Sequence, residues 1–370
     1  MAQGAIMLAA ISDYIRSKVY ELPLSRDYVR HWGLKEAVRE LIQNALDSES
    51  PFEYAFAEGQ LFITSRFAKL EASTLVLGCT SKAERDDAIG SFGEGYKIAL
   101  LVLARSGHDV TVLNGDKQWH PEFRHSDQFG AEVLCIVETP TRLQSQGVEF
   151  IIDGITPEIE AEIRDTCLRM QPPMADVIGT KYGHILPSRP GKLYVGTLFV
   201  CETGMQYGYD ILPEHLKLER DRQTVDGWDL KFVAKNAWID TGRLDEVAEM
   251  IEKQVPDLEY IQYGSTELVK EACYKLFQKK HPGAIAARSQ DELNTLVKQG
   301  MTNTVVIHSA FHSQVSESAS YKQSISHVVA VQTPRQALDE WYRDNKKYMS
   351  RLPAAAFKEL AKRADGWRNK

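Results

Sequence analysis

Leu34-Lys35-Glu36-Ala37-Val38-Arg39-Glu40-Leu41-Ile42-Gln43-Asn44-Ala45-Leu46-Asp47-Ser48 and Gly90-Ser91-Phe92-Gly93-Glu94-Gly95-Tyr96-Lys97 are the two stretches whose reading decides the fold. In the first, Val38, Leu41, Ile42 and Ala45 recur at helical spacing and form an apolar stripe. Glu36, Glu40, Asn44 and Asp47 follow at steps of four, four and three and share a different face. Asn44 offers a hard oxygen suited to Mg2+. Glu40, one turn earlier, offers a carboxylate that can orient and deprotonate a water. Taken alone, the pattern favours a plainer reading, an amphipathic helix with a solvated polar face.

The second stretch places Gly90, Gly93 and Gly95 ahead of the apolar run Ile98 to Ala104, and Arg105-Ser106-Gly107 supplies a stop. A helix starting near Gly93 or Glu94 turns its free N–H groups and positive dipole end toward the glycine loop, an arrangement that binds phosphate. Glycine permits positive φ and close backbone approach. Lys97, in the first turn, adds positive charge. No Gly-Lys-Ser or Gly-Lys-Thr follows the glycines, so the loop is not a P-loop. The polar run Thr80-Ser81-Lys82 to Asp87 before it suits a lid.

Together, and in this order, the two stretches resemble the N box and the second glycine box of the GHKL ATPases. That superfamily takes in gyrase B subunits, the large heat-shock chaperones, sensor histidine kinases and MutL proteins. Leu77-Gly78-Cys79-Thr80-Ser81-Lys82 is similar to the family's short Ser-Lys element. The resemblance covers about the first 150 residues, the length of one domain. It implies a Bergerat-type α/β sandwich binding ATP and Mg2+. Glu40 would be the general base and Asn44 the magnesium ligand. Asp47, Ser81, Lys82, Gly90, Gly93, Glu94, Gly95, Tyr96 and Lys97 would line the nucleotide and its phosphates. One departure stands out. The family's Asp-x-Gly-x-Gly box, whose Asp reads the adenine amino group, is matched here by Leu61-Phe62-Ile63-Thr64-Ser65-Arg66-Phe67-Ala68, with neither Asp nor Gly. Thr64 or Ser65 would take part of that role, with a hydroxyl's different donor and acceptor pattern.

The 370 residues are enough for two or three domains. A hydrophobic share of 43% and a charged share of 26% fit a soluble globular protein, and a net charge of -7 does not favour wholesale nucleic-acid binding. Arg164, Arg169, Lys181, Arg189 and Lys192 could form a local basic patch, but a scattered, solvated surface is the preferred reading. Cys79, Cys135, Cys167, Cys201 and Cys273 lie far apart without a Cys-x-x-Cys pair, which points to reduced thiols in a cytoplasmic protein rather than to zinc or a disulfide framework. No apolar run approaches the roughly 20 residues that span a bilayer. Met1 to Ile11 lacks the basic start of a signal peptide.

Along the chain the expected class is α+β. A nucleotide domain covers residues 1–155, with hairpin strands at 53–57 and 60–64 and further strands at 108–113, 118–124, 132–138 and 147–153. A smaller α/β second domain, transducer-like by the resemblance, covers 156–243. It opens with a helix from Pro157 to about Met170 and contains a strand over 192–201. In dimeric relatives such a domain returns a basic side chain to the γ-phosphate; Lys217, Arg220 and Arg222 are the candidates, against a plainer reading as surface charges. Residues 244–370 form a mainly helical region with helices over 245–253, 265–278 and 291–299, a short strand at 304–308, a Ser-rich loop over 313–323 and one or two basic helices after Thr333. His308 and His312 sit one turn apart without an acidic partner and are not assigned a metal.

Three functions follow. The first is a Mg-dependent ATPase working as a nucleotide-driven switch, with lid closure, a homodimer and a protein client as partners. The second is a nucleotide-sensing interaction protein or scaffold without turnover. The third, weaker on charge, is a DNA-transaction ATPase.

Overall fold

The computed structural model describes residues 17–47, 51–76, 95–216, 227–326 and 334–349, with 356–357 and 359–360. Its class is α+β. The chain divides into two compact units, one made of residues 1–178, 182–203 and 207–229, the other of 179–181, 204–206 and 230–370.

The first unit is built on a seven-stranded antiparallel sheet of order β1-β6-β5-β4-β7-β3-β2. Its strands are β1 (Lys18–Ser25), β2 (Phe52–Ala57), β3 (Gln60–Arg66), β4 (Val110–Asn114), β5 (Lys117–Ser126), β6 (Ala131–Pro140) and β7 (Gly147–Asp153). The β2–β3 turn, Glu58-Gly59, has φ of 52° and 78°, the positive pair that a two-residue hairpin of right-handed twist requires. Two helices, α1 (Leu34–Leu46) and α2 (Gly95–Arg105), pack on each other. The expected stripe of α1, Val38, Leu41, Ile42 and Ala45, is buried together with Ala99 to Leu103 of α2 and with Leu61, Ile63, Val112 and Ile152 of the sheet. Each such aliphatic side chain contributes about 1.5–3 kcal/mol when fully buried.

Arg105, at the end of α2, fastens the entry to α1. Its Nη1 donates to the carbonyls of Arg26 (3.2 Å) and Tyr28 (2.9 Å), and its Nη2 to those of Val29 (3.2 Å) and Trp32 (2.8 Å). Gly33, the N-cap of α1, follows directly and donates its N–H to the Glu36 carboxylate at 2.8 Å.

The helix expected from Pro157 to Met170 ends early. α3 runs Pro157–Asp165, capped by Thr156, and Cys167 then turns extended and bridges to Leu198. The strand expected over 192–201 is a hairpin, β10 (Lys192–Val195) and β11 (Leu198–Glu202), because Gly196 and Thr197 both take positive φ, 56° and 73°. With β8 (Ile178–Thr180), β9 (Gly183–Leu186) and β12 (Gly208–Ile211) these strands form a second sheet of order β11-β10-β12-β9-β8. Thr197 is held from three sides. Its N–H donates to Asp210 Oδ1 at 2.7 Å, its carbonyl accepts from Leu168 at 2.8 Å, and its hydroxyl lies 3.9 Å from Cys167 Sγ.

The basic residues expected to scatter over a solvated surface are instead partly woven into this region. Arg189 and Lys192 grip opposite oxygens of Asp165 at 3.2 and 2.8 Å. Arg164 bonds Glu160 and the Met170 carbonyl and lies over the Phe56 ring.

The second unit is mainly helical: α4 (Gly227–Asp240) from Leu230 onward, α5 (Leu244–Glu252), α6 (Glu267–Lys280), α7 (Gln290–Lys298), α8 (Ser309–Glu317), α9 (Ala319–Ser326) and α10 (Pro334–Asn345). Strands β13 (Ile285–Ala287) and β14 (Thr304–Val306) pair in parallel across α7. The Ser-rich stretch expected to be a loop is helical. α9 gains its start from α6, where Glu271 accepts from Ser318 Oγ and the Ser320 N–H, and Glu267 from the Ala319 N–H. His308 caps α8 through Nδ1, which accepts the Phe311 N–H, while Nε2 bonds the Glu252 carbonyl, so both ring nitrogens are in structural use. Cys135, Cys167, Cys201 and Cys273 are free thiols. Among the described residues no helix is long and apolar enough to cross a membrane.

Candidate functional site

The polar face of α1 is not a solvated face. Glu40 is 0% exposed and Asp47 5%, although they lie on a helix whose apolar stripe points elsewhere. Carboxylates are almost never fully buried without partners. Glu40 Oε1 lies 3.5 Å from Arg39 Nη2, and Arg39 is itself buried. Sequence reading passed over Arg39; its signal was a charged residue within an otherwise buried helix. Asn44 is oriented by its own helix, with Nδ2 donating to the Glu40 carbonyl at 2.9 Å. That bond leaves Oδ1 as the end that can accept a cation.

α2 packs against α1. Gly95, Tyr96 and Lys97 are all buried, and Lys97 is 0% exposed. Lys97 Nζ donates to the Val76 carbonyl, and Tyr96 Oη lies 2.8 Å from Thr74 Oγ1. Burial pushes the Tyr96 phenol up to about 12, against the Thr74 hydrogen bond, so it stays neutral across the physiological range. Both side chains thereby tie α2 to the short 3-10 turn Ala72–Leu75 and to Val76. Ser81, Lys82, Gly90, Gly93 and Glu94 lie outside the described residues, as do Lys217, Arg220 and Arg222.

The two hydroxyls at the end of β3 part company. Strand alternation sets Ser65 on the face of Leu61 and Ile63, toward α1 and α2, and Ser65 is buried. Thr64 takes the other face, where its hydroxyl donates to Glu149 of β7 at 3.0 Å. Just past Ser65 the chain does something the sequence did not announce. Phe67 adopts φ 64°, a left-handed conformation that glycine takes freely and a bulky residue rarely does, and its ring is 75% exposed. Its N–H bonds the Gln146 carbonyl at 2.9 Å. Opposite, Gly147 sits so close that a Cβ would come within 2.1 Å of the Ser65 carbonyl.

α1, which with its C-cap carries Glu40, Asn44 and Asp47, packs against α2, which carries Gly95, Tyr96 and Lys97, while Ser65 lies on the helix-facing side of β3 and Thr64 on the other. Among the described residues no three His, Cys, Asp or Glu side chains converge as a metal cluster. A magnesium ion held by one amide oxygen and by phosphates needs no such cluster.

No family model matches the chain. It is similar to an uncharacterized protein of Mycoplasma pneumoniae, 23% identical over 212 residues, which is 52% of this chain and 86% of that protein.

Proposed function

We propose that the first unit is a GHKL-type nucleotide domain of Bergerat architecture that binds ATP with Mg2+ and hydrolyses it slowly as a conformational switch. The observation that carries this reading is the burial of Glu40 and Asp47 on the polar side of α1, a helix that packs against α2. An ordinary amphipathic helix would leave that face in water. Helices on one face of an antiparallel sheet, and the resemblance of both helices to the family's boxes, support the same reading.

In it, Asn44 Oδ1 is the protein's ligand to Mg2+, and the ion supplies neutralisation of phosphate charge. Glu40 accepts the proton of the attacking water, with Arg39 fixing its carboxylate. The N-terminal end of α2 lies toward the phosphates. Ser65, the buried hydroxyl on the helix-facing side of β3, reads the base in place of an Asp. The left-handed turn at Phe67 keeps the backbone path of a glycine box without its glycines.

The test is ATP binding and phosphate release with Mg2+ for the native chain beside Glu40→Ala and Asn44→Ala. Turnover lost in Glu40→Ala and binding weakened in Asn44→Ala are expected. Binding without turnover, indifferent to Glu40→Ala, would support the second reading, a nucleotide sensor, which the absent Asp-x-Gly-x-Gly box favours. No binding of adenine or guanine nucleotides would refute both.

A further inference from the structure

β2, at one end of the seven-stranded sheet, carries an open pairing edge. The two-residue turn at Glu58-Gly59 sets Ala57 opposite Gln60, and the pair that flanks such a turn exchanges hydrogen bonds. By alternation Ala55 and Glu53 also turn their backbone groups toward β3, and the bond from the Arg66 N–H to the Pro51 carbonyl continues the same parity. The backbone groups of Phe52, Tyr54 and Phe56 therefore point the other way, out of the sheet. Among the described residues no strand pairs with them there and no hydrogen bond reaches them.

Exposed edges are ordinarily blunted by proline, lysine or a bulge. β1, at the other end of the sheet, has Lys18, Pro23 and a register shift between Glu21 and Ser25. β2 has none of these. Glu53, Ala55 and Ala57 are exposed on one face, and Phe52, Tyr54 and Phe56 are half-buried on the other. Its single charge, Glu53, is neutralised by Arg66 at 2.9 Å. Phe52 and Tyr54 stack at 6.0 Å, and Tyr54 meets Phe56 edge-on at 6.2 Å.

The strand is complementary to itself. A two-fold axis at Tyr54 uses all three outward-facing residues of each copy. Tyr54 then faces the partner's Tyr54, Phe52 faces the partner's Phe56, and Glu53 faces the partner's Ala55. Aromatic pairs directly opposite one another stabilise a sheet, and like charges so placed destabilise it. An axis at Glu53 would set two carboxylates face to face. An axis at Ala55 would leave Phe52 opposite Glu58, which has left the strand at φ 52°.

We propose that the β2 edge is a self-association surface, on which two copies of this chain pair antiparallel about Tyr54 and join their sheets into one. Such an isologous contact closes on itself, and the blunted β1 edges stop further growth. One strand per copy is a small contact, so the dimer is weak and concentration-dependent. It is independent of nucleotide binding.

The test is sedimentation equilibrium of the full chain without nucleotide, over a wide concentration range, beside Ala55→Glu and Ala55→Lys. Amide exchange at Phe52, Tyr54 and Phe56 is followed at both ends of that range. Ala55 is exposed, so both variants should keep the native thermal midpoint. The carboxylate introduced by Ala55→Glu opposes the partner's Glu53 at two symmetric places and should weaken the dimer. The ammonium introduced by Ala55→Lys meets the same Glu53 and should tighten it, each change being about 2- to 30-fold. The three amides should exchange quickly in the dilute sample and slowly in the concentrated one. A monomer at every concentration, or a dimer that both variants leave unchanged or both weaken, would overturn the proposal. So would protection of these amides that is independent of concentration, the result expected if another segment of the same chain covers the edge.

Discussion

Replacing Arg105 should loosen the start of α1 and leave the sheet intact. The guanidinium collects four carbonyls from residues 26–32, two of them in half-buried surroundings (Val29 and Trp32) and two exposed. Water replaces the exposed pair at little cost. A hydrogen bond to a charged donor contributes about 1.5–3 kcal/mol when water cannot substitute, so the half-buried pair sets the loss in Arg105→Ala at about 2–4 kcal/mol, after allowing for partial access of solvent. The lost charge at the C-terminal end of α2 adds about 0.3–1 kcal/mol. Arg105→Lys restores the charge but not the planar fan of donors, and should recover less than half of the loss. With two units in the chain, a single unfolding midpoint would mix their contributions, so hydrogen exchange is the better assay. Exchange in Arg105→Ala should accelerate over residues 26–47 and stay near native over 110–153. Uniform acceleration, or a local opening free energy changed by less than about 0.5 kcal/mol, would refute the claim that this side chain anchors the entry to α1.

Gly147→Ala should destabilise the first unit by about 1–3 kcal/mol, because its Cβ would come within 2.1 Å of the Ser65 carbonyl; a neutral thermal midpoint would contradict that packing. Thr197→Gly should raise stability by about 0.5–1 kcal/mol, since relief from a left-handed threonine at φ 73° outweighs the entropy of glycine; an unchanged or lower melting temperature would count against it. Two aspartates should shape acid stability in opposite senses. Burial tends to raise the Asp165 carboxyl, but Lys192 and Arg189 overcome it and hold it below the ordinary 3.8. Its contribution is therefore present above that value and fades as pH falls through the lowered one, an effect that Asp165→Asn should abolish in acid titrations. Burial raises Asp210 above 3.8 against the Thr197 hydrogen bond, so its stability is full below 3.8 and lost as pH rises through the raised value. Asp210→Asn should be the more stable form at neutral pH; a less stable variant there would mean that the carboxylate form is the favoured one.

Much of the first unit was legible because its signals are local. The stripe of α1, the apolar run of α2, the Glu58-Gly59 turn and the strand over 147–153 each follow from periodicity or from a turn pair, and β7 spans Gly147–Asp153 as expected. The misses have a common cause in long-range pairing. Nothing between 192 and 201 distinguishes one strand from two, since Gly196-Thr197 is a poor turn pair that Asp210 and Leu168 hold from outside. The helix after Pro157 stops where Cys167 is drawn into a bridge with Leu198. The stretch 313–323 is poor in apolar periodicity and is helical because His308 caps α8 and Glu267 and Glu271 of α6 bond the start of α9. α4 escaped notice because its apolar residues face most directions.

The candidate site divides along the same line. Residue types and spacing singled out Glu40, Asn44, Asp47 and Lys97, but the burial of Glu40, Asp47 and Lys97 depends on what packs against their helices. Arg39 and Arg105 illustrate why this could not be read in advance. Arg39 adjoins Glu40 in sequence and would ordinarily point away from it, yet its guanidinium turns back to the carboxylate. Arg105 looks like a helix-ending surface charge, yet it gathers four carbonyls from a loop more than seventy residues earlier. Phe67 makes the converse point. Ser65-Arg66-Phe67-Ala68 contains no glycine, yet the left-handed backbone that glycine takes freely is present at Phe67. Strain of about 1–2 kcal/mol in an L-residue persists only where surrounding contacts hold it, here the Phe67 N–H on Gln146 and the close approach of Gly147. The turn after β3 thus holds a left-handed conformation in a residue type that rarely adopts it, because neighbouring contacts fix it there.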